Sequence, residues 1–503
     1  MKNQPLWFEG VPSRHYPALE QALTVDVAVI GGGIVGLYAA HRLQQAGFKV
    51  ALFEARTIGR QATGRSTAKV TSQHGMKYAR LIDSFGSEAA KIYALANQLA
   101  AKELAALAQT MSASCGLEER SAYIYATNAQ EAEQLARERD AARSLGLHYD
   151  IVNDIKLPFH PEASLKLSGQ YQLDPYAFCV SLAENISLKA NIFEDSRVTQ
   201  VDYGEPCVLQ INGHDVRANH VIVATQLPII SQGHYFTKAY PFAHPVIAAP
   251  MTGEPSFEGM FISAGSPSHS FRTATKNGIA YLVAAGPEFK PGQADEQTAA
   301  IENLHTFVER NFGLEMFSHL WINEDFRTMD ELPFVGPVKA SQPRLQVVTG
   351  LSAWGITQAA VSAEIVTGNI LQNAHPCAAL FDATRMDLVR GAGSFVANNT
   401  AAGVRLLKDR LFRSQVQDKN AVPAGGAGII LHNGEQVALR RGEDGSEFAL
   451  SAVCTHLGCI VGWNQADETW DCPCHGSRFD KHGQVISGPA TLPLARRDLR
   501  ENP

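Results

Sequence analysis

The chain has 503 residues, too many for one ordinary hydrophobic core, so two or three domains are expected. Its formal net charge of −7, with no Lys/Arg cluster, argues against a nucleic-acid role, because phosphate contacts need a basic face. The first residues, MKNQPLWFEGVPSRHYPALEQAL, hold no apolar core and no twin-Arg pair, and no apolar run approaches the roughly 20 residues of a membrane span. A cytoplasmic protein without a transmembrane segment is the expectation.

Residues 25–54, VDVAVIGGGIVGLYAAHRLQQAGFKVALFE, read as a βαβ unit. A β-branched run (25–30) meets a Gly-rich turn, a helix follows with Leu37, Ala40 and Leu43 on one face, and a second strand (49–53) ends at Glu54. Gly31, Gly33 and Gly36 form G-x-G-x-x-G. The first permits a tight turn, the second lets backbone approach a pyrophosphate, and the third lets the helix pack on the strand. The phosphate would meet the helix N-terminus, and Glu54 would accept from ribose hydroxyls. This is a dinucleotide site. Its place near the N-terminus, the long insertion before the next strand and a late Gly turn favour FAD over NAD.

Residues 87–110 and 129–145 are Ala-rich with helical periodicity. Strand-like runs and turns occupy much of 148–290, with VIVA (221–224) an apolar strand, and 346–372 repeats the order strand, Gly turn, helix. The segment 381–425 combines a charged stretch with PAGGAG and reads as a linker. Short strands and turns follow to the end.

Of eight cysteines, Cys115, Cys179, Cys207 and Cys377 are scattered and read as buried hydrophobes. Cys454, Cys459, Cys472 and Cys474 fall within 21 positions, interleaved with histidines, in CTHLGCIVGWNQADETWDCPCHGSRF. A Rieske [2Fe–2S] centre replaces two of four cluster thiolates with imidazoles on one iron. Cys454, His456, Cys472 and His475, one Cys and one His per short loop, meet that demand. A structural zinc is the competitor, but zinc motifs pair like with like, C-x-x-C then H-x₃₋₅-H.

The string CTHLGC…CPCHGSRF resembles the Rieske proteins of respiratory and photosynthetic quinol-oxidising complexes. That resemblance implies a Cys459–Cys474 disulfide joining the two loops, and it argues against a Rieske oxygenase, for whose separate iron site no motif is seen. High-potential members carry Ser, then Tyr two residues later. Here Ser477 is kept and Phe479 stands in place of Tyr, which implies fewer hydrogen bonds to sulfur and a lower potential.

The fingerprint, the loop GRQATGRSTAKVTSQH (59–74), VIVAT (221–225) and VVTGLSAWGIT (347–357) resemble the D-amino-acid oxidase/sarcosine oxidase (DAO) family over roughly residues 24–375. The whole order resembles bacterial FAD-dependent oxidoreductases with a C-terminal Rieske domain. These likenesses imply an α/β FAD-binding Rossmann-like domain with an α+β substrate domain (1–380), the linker (381–425), and an all-β Rieske domain (426–503). They place Ile34 and Ala55 with the fingerprint, Arg65, Ser66 and Thr67 near pyrophosphate and flavin, Val198 on the adenine side, and Ala224 and Thr225 at the cofactor. Gly350, Trp354, Gly355, Ile356 and Thr357 would face the flavin's pyrimidine edge. FAD is expected to be noncovalent, since Cys377 lies beyond the place where some relatives tether it.

DAO-family enzymes oxidise C–N bonds, and carboxylate substrates need a cation. Lys69, His74 and Arg272 are the candidates for substrate chemistry. The plainer alternatives are a solvated loop lysine, a histidine bonded to backbone and an arginine facing solvent or a structural ion pair. The expected activity is an amine or amino-acid dehydrogenase passing electrons from FAD to the cluster and on to an external protein or quinone. The alternative is an electron-transfer protein serving a partner enzyme without a small substrate of its own.

Overall fold

A computed structural model describes residues 1–385, 416–417 and 419–499, apart from Ser13, 112–114, Asp154, Glu254 and Ser256. The βαβ unit forms as its pattern dictates: strand Leu23–Ile30, helix Ile34–Gln45, strand Val50–Phe53, with Val27 to Ile30 beside Val50 to Phe53 in parallel register. Val27, Ala28 and Val29 are fully buried because both faces of this central strand are covered. Strands His214–Val223 and Leu345–Thr349 continue the sheet in parallel on one side and Asn191–Phe193 on the other, with Phe334–Pro337 as an antiparallel edge. Helix Gly355–Leu371 packs beside helix Ile34–Gln45 over one face.

A second, nine-stranded sheet forms the substrate-domain layer. From its edge, strand His319–Thr328 pairs with Ala239–Pro250, followed by Ile279–Ala285, Ser270–Lys276, Met260–Ser263, Glu118–Ala126, Ala163–Gln172 and the short Lys69–Val70, with Tyr149–Val152 also pairing Ala163–Gln172. The Ala-rich helices appear as Ser87–Gln109 and Ala129–Ser144. Helix Pro175–Ser187 interrupts a region expected to be mostly strands. Asp174 caps it by accepting from the Tyr176 and Ala177 amides, and Pro175 opens it.

The C-terminal unit is all-β, with two four-stranded sheets. Its first strand, Val416–Gln417, pairs with Ala427–His432 and so lies inside the stretch read as linker. At the other end, Phe381 and Ala383 are buried in the cores of the N-terminal unit, and Arg385 pairs with Asp330 at 2.8 Å. Most of the expected linker, 386–415, lies outside the described residues. Among the described residues no helix is long and apolar enough to cross a membrane.

Candidate functional site

At the carboxyl ends of the parallel strands lies a partly open cavity. Its lining runs from the Gly-rich turn and Glu54 to Gly350 and the start of helix Gly355–Leu371, an elongated shape that suits an extended ligand. Of the residues that the sequence assigns to the cofactor, Gly31, Gly33, Ile34, Glu54, Ala55, Ser66, Val198, Ala224, Thr225, Gly350, Gly355 and Ile356 line it. Gly31 sits at φ 107°, and a Cβ there would lie 2.5 Å from the Ala224 carbonyl oxygen. A Cβ on Gly36 would strike the Gly31 carbonyl, so Gly36 serves helix packing rather than the wall. Two helices, Ile34–Gln45 and Gly355–Leu371, begin at the cavity with no cap from their own N-cap side chains; Thr63 Oγ1 accepts from Ile34 N at 3.2 Å, and later first-turn N–H groups remain for an anion. The buried Glu54 carboxylate accepts from Gly32 N at 2.8 Å and Arg56 N at 2.9 Å. Burial raises its pKa against those bonds, and its remaining lone pairs suit ribose hydroxyls. The cradle fits a dinucleotide.

Four further expected residues lie behind this wall. Arg65 does not reach the cavity. Its Nε donates to the Ile322 carbonyl at 2.7 Å, and its guanidinium pairs with Asp467 of the C-terminal unit. Thr67 turns its carbonyl to Arg272 Nε at 2.5 Å. Thr357 accepts from Thr71 N at 3.0 Å, tying the 59–74 loop to the late helix. Trp354 precedes that helix and stacks on His74, ring centroids 4.8 Å apart.

The three candidates for substrate chemistry also stand off the cavity. Lys69 is not a solvated loop residue. Its Nζ donates to the Phe261 carbonyl at 2.7 Å and to the Ser270 hydroxyl, and burial, helped by Arg272, brings its pKa down to about 7. His74 Nε2 lies 2.8 Å from the Thr71 carbonyl and so must donate. Its Nδ1 then accepts from the Tyr93 hydroxyl at 2.6 Å, and that hydroxyl accepts from Gln358 at 2.9 Å. Burial, then the nearby Lys77 charge, holds this imidazole neutral. Arg272 faces inward, not toward solvent. It spends its donors on the carbonyls of Thr67, Thr273 and Leu173 and lies 4.7 Å over the Trp7 ring. All three brace the backbone around the cavity.

The cavity's own polar side chains include ones the sequence reading did not single out: Arg197, Gln226, Asn323 and Asp325. Asn323 and Asp325 alternate along strand His319–Thr328 and face the cavity, while Glu324 between them faces the C-terminal unit. Asp325 accepts from Phe326 N at 2.7 Å and Ala353 N at 2.5 Å. Burial nonetheless pushes its pKa up to about 6. The run INEDFRT gives no period-two signal, since polar residues occupy both of its faces.

In the C-terminal unit, the two ligand loops are joined by the Cys459–Cys474 disulfide. The sulfurs of Cys459, Cys472 and Cys474 lie within 4.8 Å of one another. Two of these are spent on the disulfide, which leaves Cys472 and Cys454 as the thiols, hydrogen-bonded to each other. The His456 and His475 rings stand 4.9 Å apart. His456 Nδ1 is buried without a hydrogen-bond partner, the state of an imidazole nitrogen awaiting a metal. Two thiols and two imidazoles converging in this way fit a Rieske cluster. The Ser477 hydroxyl lies in hydrogen-bond reach of Cys454, and Phe479 is fully buried.

Residues 26–368 match the family of FAD dependent oxidoreductases (DAO), and residues 413–497 match the Rieske [2Fe-2S] domain. The chain belongs to the DAO family of FAD-dependent oxidoreductases, in a form that carries a C-terminal Rieske domain. It is 32% identical over 497 residues to the putative Rieske 2Fe-2S iron-sulfur protein YhfW of Bacillus subtilis, covering 98% of this chain and 97% of the relative. The N-terminal part binds FAD and the C-terminal part a [2Fe–2S] cluster. The fold is also that of glycine oxidase from Geobacillus kaustophilus (TM-score 0.58, 19% identity, 72% of this chain and 99% of that one). L-proline dehydrogenase from P. horikoshii shares it as well (TM-score 0.60, 17% identity, 73% and 98%).

Proposed function

We propose that the protein is a dehydrogenase that oxidises an amine or amino-acid-like substrate at a C–N bond and sends the electrons through its Rieske domain to an external acceptor. When bound, FAD supplies a two-electron acceptor and the [2Fe–2S] cluster a one-electron carrier. One observation carries the reading. Within the short segment from Thr225 to Phe236, Thr225, Gln226 and Ile229 line the cavity, and the Phe236 ring lies 5.6 Å from both His456 and His475. A single stretch of chain thus joins the flavin cavity to both imidazole ligands. The amine class is supported by the likeness in fold to proteins titled glycine oxidase and L-proline dehydrogenase.

The chain's own residues supply binding and orientation. Asp325 offers a carboxylate to a substrate ammonium group and can take a proton from it. The first-turn N–H groups of helix Gly355–Leu371 offer donors to negative charge at the pyrimidine edge. Among the described residues lining the cavity none is a cysteine, which supports noncovalent FAD. Val453, Leu457 and Leu492 are 37%, 49% and 60% exposed, and Thr455 Oγ1 donates to the Leu492 carbonyl at 2.6 Å. They form an apolar rim around the ligand loop where an acceptor can dock.

The test is a panel of amines and amino acids mixed with the holoprotein under argon. The expected result is loss of the flavin absorbance with one class of amine, followed by appearance of the reduced-cluster EPR signal. If no amine acts and a reduced partner protein fills both centres, the reading fails in favour of an electron-transfer protein.

A further inference from the structure

The wall of the FAD cavity is not built by the flavin domain alone. The last strand of the Rieske sheet, Val485–Ser487, runs along the flavin domain, and the Val485 carbonyl accepts from Arg197 Nη2 at 2.7 Å. Arg197 and its neighbour Val198 line the cavity, and so do Ile486, Ser487 and Gly488. Arg197 also lies near enough to Glu54 for the two charges to interact, where the fingerprint places the ribose. Gly488 also comes against Ile229, a flavin-domain residue of the same wall, close enough that a Cβ would lie 3.1 Å from its Cγ2.

A buried polar latch fixes this contact. Asp467 of the Rieske domain, its side chain 5% exposed, is shared between Arg65 of the flavin domain and Arg478 at 2.6 Å. Arg478 also faces Asp471 at 3.1 Å and Glu324 of the flavin domain at 3.6 Å. Gln297 donates to Asn464 at 2.6 Å across the same interface. Docking takes these charges out of water, and the cost is offset only where each meets its partner, so the network favours this one geometry. The Rieske domain is therefore held in one register against the cavity.

We propose that the Rieske domain is a structural part of the FAD site, with Ile486–Gly488 closing the adenosine end of the cofactor. Ile486 gives an apolar surface to the adenine, and Ser487 gives a hydroxyl and backbone groups to the ribose and phosphate side. Arg197 is positioned by Val485. Cofactor binding and domain docking are then linked. Docking tightens FAD, and FAD tightens docking by the same factor.

The test uses the full-length, cluster-loaded chain. Ser487→Trp fills the cavity from the Rieske side, and Asp467→Asn removes the latch. Each is expected to raise the FAD dissociation constant by at least about tenfold while the cluster's EPR spectrum stays as in the parent. Lys481→Gln, at an exposed Rieske ion pair with Glu468, is expected to leave FAD affinity unchanged. On the unmutated chain, hydrogen exchange at the amides of 486–488 is expected to slow when FAD is returned to deflavinated protein. Parent-like FAD affinity in Ser487→Trp with an intact cluster overturns the proposal. So does exchange at 486–488 that ignores FAD, which decides the matter even if a variant fails to fold.

Discussion

Asp325 is the residue on which substrate chemistry turns in this account. Burial outweighs its two backbone bonds and sets its pKa at about 6. The carboxylate is then present above that pH and lost as pH falls through it. The expected kcat/KM for an amine falls toward acid pH with an apparent pKa near 6, and Asp325→Asn removes that limb. The variant should also lose roughly 10- to 100-fold in kcat/KM, the worth of one charge-assisted bond of about 1.5–3 kcal/mol. A wild-type-like acid limb in the variant would assign the titration to another group. Lys69 makes the opposite statement, about stability. Its pKa is about 7 when folded against an ordinary 10.5. Between those values the unfolded chain holds a proton that the folded chain lacks, so stability from this site rises with pH by about 1.4 kcal/mol per unit. Denaturant titrations of the wild type and Lys69→Met should diverge accordingly between about pH 7 and pH 9. A difference independent of pH would contradict a neutral buried amine.

At the scale of elements, the strand Arg478–Asp480 carries the residue that marks this cluster. Phe479 is fully buried where high-potential relatives carry Tyr. Phe479→Tyr should raise the midpoint potential within the Rieske range of about −150 to +300 mV, read by redox titration. An unchanged or lower midpoint would contradict the tuning. The βαβ unit and the ligand loops were legible in the sequence because their chemistry is local: glycines, an acid and four ligands at fixed spacing. Helix Pro175–Ser187 was not read, although Asp174–Pro175 is a start signal. It is buried nearly all round from Pro175 to Ala183 and shows no 3.6-residue stripe. Arg65, beside a phosphate-binding turn, reads as a phosphate partner. Its actual partner, Asp467, lies 402 residues further along the chain, a pairing that no local pattern carries. Asp325 escaped for the same reason, since only the pairing of the two long strands turns it toward the cofactor.

At the scale of the molecule, the proposed function makes the two halves one redox unit. The 225–236 segment runs from the cavity to the cluster histidines, and a buried ion network holds the Rieske domain against the flavin domain. The arrangement calls for electron passage within one chain, without a shuttling head and without a second molecule. That claim can be tested before any substrate is known. The flavin is reduced by a light pulse under argon, and the reduced-cluster EPR signal is followed by rapid freezing over a range of protein concentrations. The cluster signal is expected to rise with a first-order rate that is independent of concentration and slows in Phe236→Ala. A cluster that stays oxidised, or a rate that scales with protein concentration, would contradict it.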